Sequence, residues 1–124
     1  MGFLLVFIGG GIGSALRHGI NILAPRLVGF GFPYGTLFIN VLGSLVMGLV
    51  SEYFALKAGL PQRTRLFLTT GILGGFTTFS TYSLEAALLY ERGELAAAAI
   101  YVVASVVLGI SALFAGLAIV RMLA

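Results

Sequence analysis

Four long apolar runs divide the chain, at about residues 2–24, 34–56, 64–90 and 95–121. A helix needs roughly 20 apolar residues to cross a hydrocarbon core of ~30 Å, so each run predicts one membrane-spanning helix. The eleven charged side chains fall between these runs or near their ends, Arg17 fitting that rule least well. Turn chemistry punctuates the first two connections, Pro25 to Pro33 with Gly29 and Gly31, and Ala58 to Thr64 with Gly59 and Pro61. The third, around Glu91 to Glu94, is shorter. Residues 1–124 therefore read as a single all-α transmembrane domain of four helices, with nothing left over for a soluble unit.

Composition sharpens this. The chain is 60% hydrophobic and 9% charged, against about a quarter charged in an ordinary globular domain. The first run is not expected to be a cleaved signal, because it has no basic n-region and its Gly-rich end leads straight into Arg17 and His18. Without cysteine, neither a disulfide framework nor a thiolate site can form. One histidine and no nucleophile–base pair argue against an enzyme. The net charge of +3 points to lipid and topology before any anionic partner, and no nucleic-acid partner is expected.

Four spans would put both termini and the second loop on one side, with Lys57, Arg63, Arg65 and Arg121. Arg26 and Arg92 would lie opposite, joined by Arg17 if it reaches the surface. So small a bias specifies no orientation. Either too few charges are present for the rule to act, or the chain inserts both ways and pairs as an inverted dimer. Small residues are dense in spans one to three (Gly9, Gly13, Gly43, Gly48, Gly71, Gly75 among them), which lets helix backbones approach closely. Any pore must then be narrow or shared between copies.

A few polar residues inside the runs need a reason. Asn40 is either an interhelical clamp or part of a pathway, and its position alone does not decide. Arg17 would cost at least ~2.5 kcal/mol at a helix centre, but near a span end it can snorkel, and its charge would favour anions at a pathway mouth. Tyr101 and Ser105 share a face at i, i+4. The densest case is GGFTTFSTYS, Gly74 to Ser83, where TTFSTYS carries six hydroxyls in seven residues. Gly74-Gly75 is a poor helix interior and predicts a break. Unwound backbone at membrane depth must be buried in protein or face a water-filled cavity, and its carbonyls suit a hard cation such as Na⁺. Phe79 and Tyr82, three apart, present ring edges that carry partial positive charge, so with the hydroxyls they form a neutral lining able to coordinate a small anion. Simple aromatic packing between helices is the competing explanation.

GILGGFTTFSTYSLE, residues 71–85, resembles the signature of the Fluc (CrcB) family of fluoride channels. The Gly-rich first span ending in Arg17, YGTLFINVLGSLVMG with Asn40, and a fourth span with Tyr101 and Ser105 extend the likeness over essentially the whole chain. The resemblance implies an antiparallel, dual-topology homodimer in the cell inner membrane. It also implies two narrow fluoride pores and a structural central Na⁺ held by the backbone carbonyls of Gly74 and Thr77 from both subunits. By the same carry-over Phe79 and Tyr82 are the pore-facing aromatic pair, Asn40 the pore amide and Arg17 the vestibule arginine. Ser80, Thr81, Tyr101 and Ser105 become the polar track, and Glu85 a carboxylate near one pore end.

Two positions depart from the family pattern. Tyr82 stands where phenylalanine is usual, and Gly109, one turn after Ser105, stands where some relatives carry another serine. The alternative class, a proton-coupled exporter like the small multidrug resistance proteins, needs an acidic residue in span one, and residues 1–24 contain none. A non-transporting membrane subunit is the third reading, if Asn40 and the hydroxyls only hold helices together.

Overall fold

The computed structural model describes residues 1–29, 31–57 and 59–124. Phe30, in the first connection, and Ala58, at the start of the predicted turn to Thr64, lie outside the described residues. All regular structure among the described residues is helical: α1 Gly2–Val28, α2 Tyr34–Leu56, α3 Gln62–Leu66, α4 Gly74–Phe76, α5 Ser80–Glu91 and α6 Leu95–Leu123, with a π-helical segment Phe67–Leu73 between α3 and α4. Among the described residues α1, α2 and α6 are long and apolar enough to cross a membrane. Their flanks are strewn with exposed Phe, Leu, Ile and Val, and such broad exposed apolar surface marks contact with lipid. The chain is a multi-pass membrane protein.

The boundaries of α2 coincide with those predicted, whereas α1 runs four residues beyond the expected end at 24. Pro25 is accommodated inside the last turns of α1, and its carbonyl accepts the Gly29 N–H at 2.9 Å, where φ of 91° suits glycine.

Two seams of small residues hold the bundle. Along the first, α1 lies on the π-helical segment, with Gly9 so close that a Cβ there would stand 3.0 Å from the Gly71 Cα. Along the second, α2 packs on α6, its most extensive partner; side chains at Gly48 and Gly116 would collide with the carbonyls of Leu113 and Leu45. Since lipid supplies no hydrophobic drive between helices, close backbone approach and dispersion contacts are what associate them.

The third apolar stretch is not one continuous helix. Its interruption falls at Thr77–Phe79, not at Gly74-Gly75 as the glycines suggest. Gly74 is helical, with φ −63° and ψ −37°, and Gly75 lies in the same turn. A Cβ on Gly75 would strike the backbone of Gly10 in α1, so this glycine serves close packing and not unwinding. The chain leaves the helix at Thr77, whose ψ of 157° swings the backbone into an extended conformation.

Candidate functional site

The interruption is held by four side chains, Asn40, Thr78, Arg17 and Ser14. Asn40, from α2, accepts the Thr78 N–H on Oδ1 at 2.9 Å and donates from Nδ2 to the Thr78 carbonyl at 3.0 Å. The Thr78 hydroxyl in turn accepts the Thr81 N–H at 3.2 Å, acting as a cap for α5. On the other side Arg17 Nε donates to the Gly75 carbonyl at 3.1 Å, with the Ser14 hydroxyl 3.4 Å from the same oxygen. A cation on the last carbonyls of a helix is favourable with respect to the backbone dipole. Asn40 is thus a clamp on the break, and Arg17 is anchored to α4.

These exchanges take the helical donors away from the carbonyls of Gly74 and Thr77. In a continuous helix the Gly74 carbonyl would accept from Thr78 N–H and the Thr77 carbonyl from Thr81 N–H, yet both donors are taken by side chains. Gly74 is exposed and Thr77 half-buried. Among the described residues there is no cluster of three His, Asp or Glu side chains able to hold a metal. The freed carbonyls of Gly74 and Thr77 are neutral, hard oxygen donors, which fit a small monovalent cation.

Opposite α4, Asn40, Thr77, Thr78, Phe79, Tyr82 and Ser105 line a groove of about 390 Å³ between α2, the break and α6. Phe79 is 78% exposed, so the groove is open along one side. From it a chain of rings runs inward. Phe79 and Tyr82 lie 5.6 Å apart between centroids, Tyr82 and Tyr101 5.2 Å, and Tyr101 meets Phe32 edge-to-face at 5.4 Å. Tyr101 is fully buried and donates its phenol to Glu85 Oε1 at 3.1 Å. Glu85 lines a second cavity of about 480 Å³ together with Asn21, Phe32, Tyr34, Thr36 and Arg92. Tyr82 and Tyr101 therefore stand between groove and cavity.

Two buried hydroxyls border this route with no hydrogen-bond partner among the described residues, Ser105 Oγ on the groove side and Thr36 Oγ1 on the cavity side. They are 9% and 1% exposed; buried hydroxyls are ordinarily paired with protein or ordered water, and Thr36 also stands close enough to the Tyr101 phenol to interact with it. Ser105 does not bond back to its own helix, the simple explanation that its sequence position permits.

Of the residues singled out in the sequence, Asn40, Thr77, Phe79, Tyr82 and Ser105 meet at the groove, with Tyr101 and Glu85 directly behind. Ser80 and Thr81 line neither space: Ser80 is exposed, 3.4 Å from the Thr78 hydroxyl, and Thr81 is tied to Thr78 through its backbone. Gly74 and Arg17 lie outside both linings: Arg17 reaches the Gly75 carbonyl from α1, and Gly74 is exposed. The Tyr82 phenol donates to the Val102 carbonyl of α6 at 2.9 Å, which directs the extra hydroxyl at that position away from the open groove. Gly109 also lines the groove, and a Cβ there would stand 3.7 Å from Ser44 Oγ of α2.

Sequence reasoning missed Thr36, Asn21 and Ser44. Thr36 precedes Asn40 by one turn, and Asn21 follows Arg17 by one turn, so i, i+4 spacing from the polar residues already noted is the signal that finds them.

An interrupted helix clamped by an amide, beside a groove lined by aromatic rings and hydroxyls inside an apolar bundle, marks an integral membrane protein with polar groups gathered at one break. A family model described as CrcB-like protein, Camphor Resistance (CrcB), matches residues 4–117. A protein named Fluoride-specific ion channel FluC from Rhodopseudomonas palustris (strain BisB5) is 62% identical over 121 residues, covering 98% of each chain. Proteins with the same name from Methylobacterium nodulans and Granulibacter bethesdensis are 62% and 61% identical, over 95% and 99% of this chain and 94% and 97% of theirs. The chain belongs to the CrcB-like family.

Proposed function

We propose that this chain is a fluoride channel, not an enzyme, and that it lets fluoride leave the cytoplasm passively through the track from groove to cavity. The observation that carries the reading is the pair of unpartnered buried hydroxyls, Ser105 and Thr36, on either side of the ring chain Phe79–Tyr82–Tyr101. A small anion needs donors to replace its water, and a track of fixed full charges would hold it too tightly to conduct. Here the donors are neutral. The second N–H of Asn40, the two free hydroxyls and the positive ring edges of Phe79 and Tyr82 can each take over part of the hydration shell. Glu85, engaged by the Tyr101 phenol, is the carboxylate at the cavity end of the pore. Ser80 and Thr81 serve by shaping the break through Thr78. Arg17 biases the helix-break side toward anions by its charge while fixing α4.

The working unit in this reading is an antiparallel homodimer in the inner membrane, inserted in both orientations and giving two pores. Two features of one subunit support it. The groove lacks a wall beside Phe79, and the carbonyl of the exposed Gly74, deprived of its helical donor, cannot face lipid without several kcal/mol of cost. A second copy covers both. Gly74 and Thr77 of the two copies would hold a structural Na⁺, which supplies the positive charge that ties the paired breaks together. Fluoride efflux from liposomes containing the purified protein, read with a fluoride electrode, tests the function, with chloride efflux in parallel. Fluoride release without chloride release supports the reading, and the absence of protein-dependent fluoride release overturns it.

A further inference from the structure

Away from the polar track a third hollow, of about 460 Å³, lies where the end of α2 meets the third apolar stretch and α6. Leu49, Val50, Tyr53 and Phe54 form one wall, and Leu68 and Val120 close it. Its volume falls within the ~300–1,000 Å³ typical of small-molecule sites. From Leu49 to Phe54 the wall rises roughly 8 Å, five residues at the helical step. Tyr53 is about half exposed near the helix end, where an amphipathic ring sits at the level of the lipid headgroups. The hollow therefore opens at the headgroup layer and descends among the acyl chains.

Basic residues neighbour its lining in the sequence. Lys57 directly follows α2, Arg63 and Arg65 flank the lining residue Thr64, and Arg121 follows the wall residue Val120. Arg121 is paired with Glu52, whereas Lys57, Arg63 and Arg65 form no salt bridge among the described residues. Three positive charges without a salt bridge among the described residues thus lie within three residues in sequence of the lining of an apolar hollow. We propose that this hollow binds one phospholipid with an anionic headgroup, its acyl chain against Val50 and Leu68 and its phosphate among Lys57, Arg63 and Arg65. A zwitterionic lipid matches the walls but not these basic residues.

The test is native mass spectrometry of the purified protein given equal amounts of dioleoylphosphatidylglycerol and dioleoylphosphatidylcholine. The parent should retain the glycerol lipid preferentially. Arg63→Gln with Arg65→Gln should lower that preference roughly thirtyfold, two basic contacts at the membrane surface, while the paired Lys substitutions keep it. Val50→Trp should reduce retention of both lipids by filling the hollow. Soluble glycerol phosphate should fail to compete; competition by it would show an anion site without a lipid and overturn the proposal. Equal retention of the two lipids by the parent, or an unchanged preference in the Gln variant, would also overturn it. So would a Val50→Trp protein that changes its oligomeric mass and not its lipid count, since the hollow would then belong to an interface between copies.

Discussion

Replacing Asn40 by leucine, of similar size, removes both bonds to the Thr78 backbone at once, at 2.9 Å and 3.0 Å. Thr78 lies outside the helices on either side, so no backbone partner stands ready for its N–H and C=O. A buried polar group left without its partner costs about 1–3 kcal/mol, and two such groups in a half-buried setting come to about 3 kcal/mol. With tenfold per ~1.4 kcal/mol, opening of the Thr78 amide becomes about a hundredfold more frequent. Hydrogen exchange on a peptide covering residues 76–80, in detergent-solubilised protein, reads this directly, with fluoride efflux measured on the same sample. Asn40→Leu is expected to expose the Thr78 amide and to suppress efflux together. Unchanged Thr78 protection would refute the clamp, and loss of efflux alone would make Asn40 a pathway residue only.

Tyr82→Phe should keep substantial fluoride efflux, because the ring edge persists and the lost phenol bonded the Val102 carbonyl, not the open groove; Phe79→Ile should nearly abolish efflux at equal protein amount and dimer state. The reverse pattern would assign the ion to the hydroxyl. Gly13→Ala places a Cβ against the Ile72 carbonyl and 2.7 Å from the Phe76 N, so a loss of about 1–3 kcal/mol is expected in thermal melts, and an unchanged melting temperature would contradict the α1 seam. Prolonged Na⁺ depletion should loosen the dimer in size-exclusion chromatography, whereas full dimer and full efflux without Na⁺ would remove the ion from Gly74 and Thr77.

How far the sequence could be read depends on the residue. Long apolar runs locate α2 at Tyr34–Leu56 because hydrocarbon thickness alone demands them. Glycine is harder, since one residue type serves both unwinding and close packing: Gly75 suggested a break and instead makes room for Gly10. The true exit from helix at Thr77 depends on Asn40 capturing the Thr78 N–H from another helix, a bond across 38 residues that local pattern does not carry. For the same reason Asn40 stayed open between clamp and pathway. The fate of the Tyr82 phenol on Val102 and the unpaired state of Thr36 likewise depend on which helices meet. By contrast Tyr101 and Ser105 were legible as a pair from i, i+4 spacing, although they face different neighbours, Glu85 and the groove.

Passive conduction of fluoride is most directly tested by current across a bilayer containing the purified protein, with a fluoride gradient imposed and the pH on each side varied independently. The account predicts a current that reverses at the fluoride equilibrium potential and stays there whatever the pH gradient. A reversal potential that follows the proton gradient, or that is set by chloride, would contradict it.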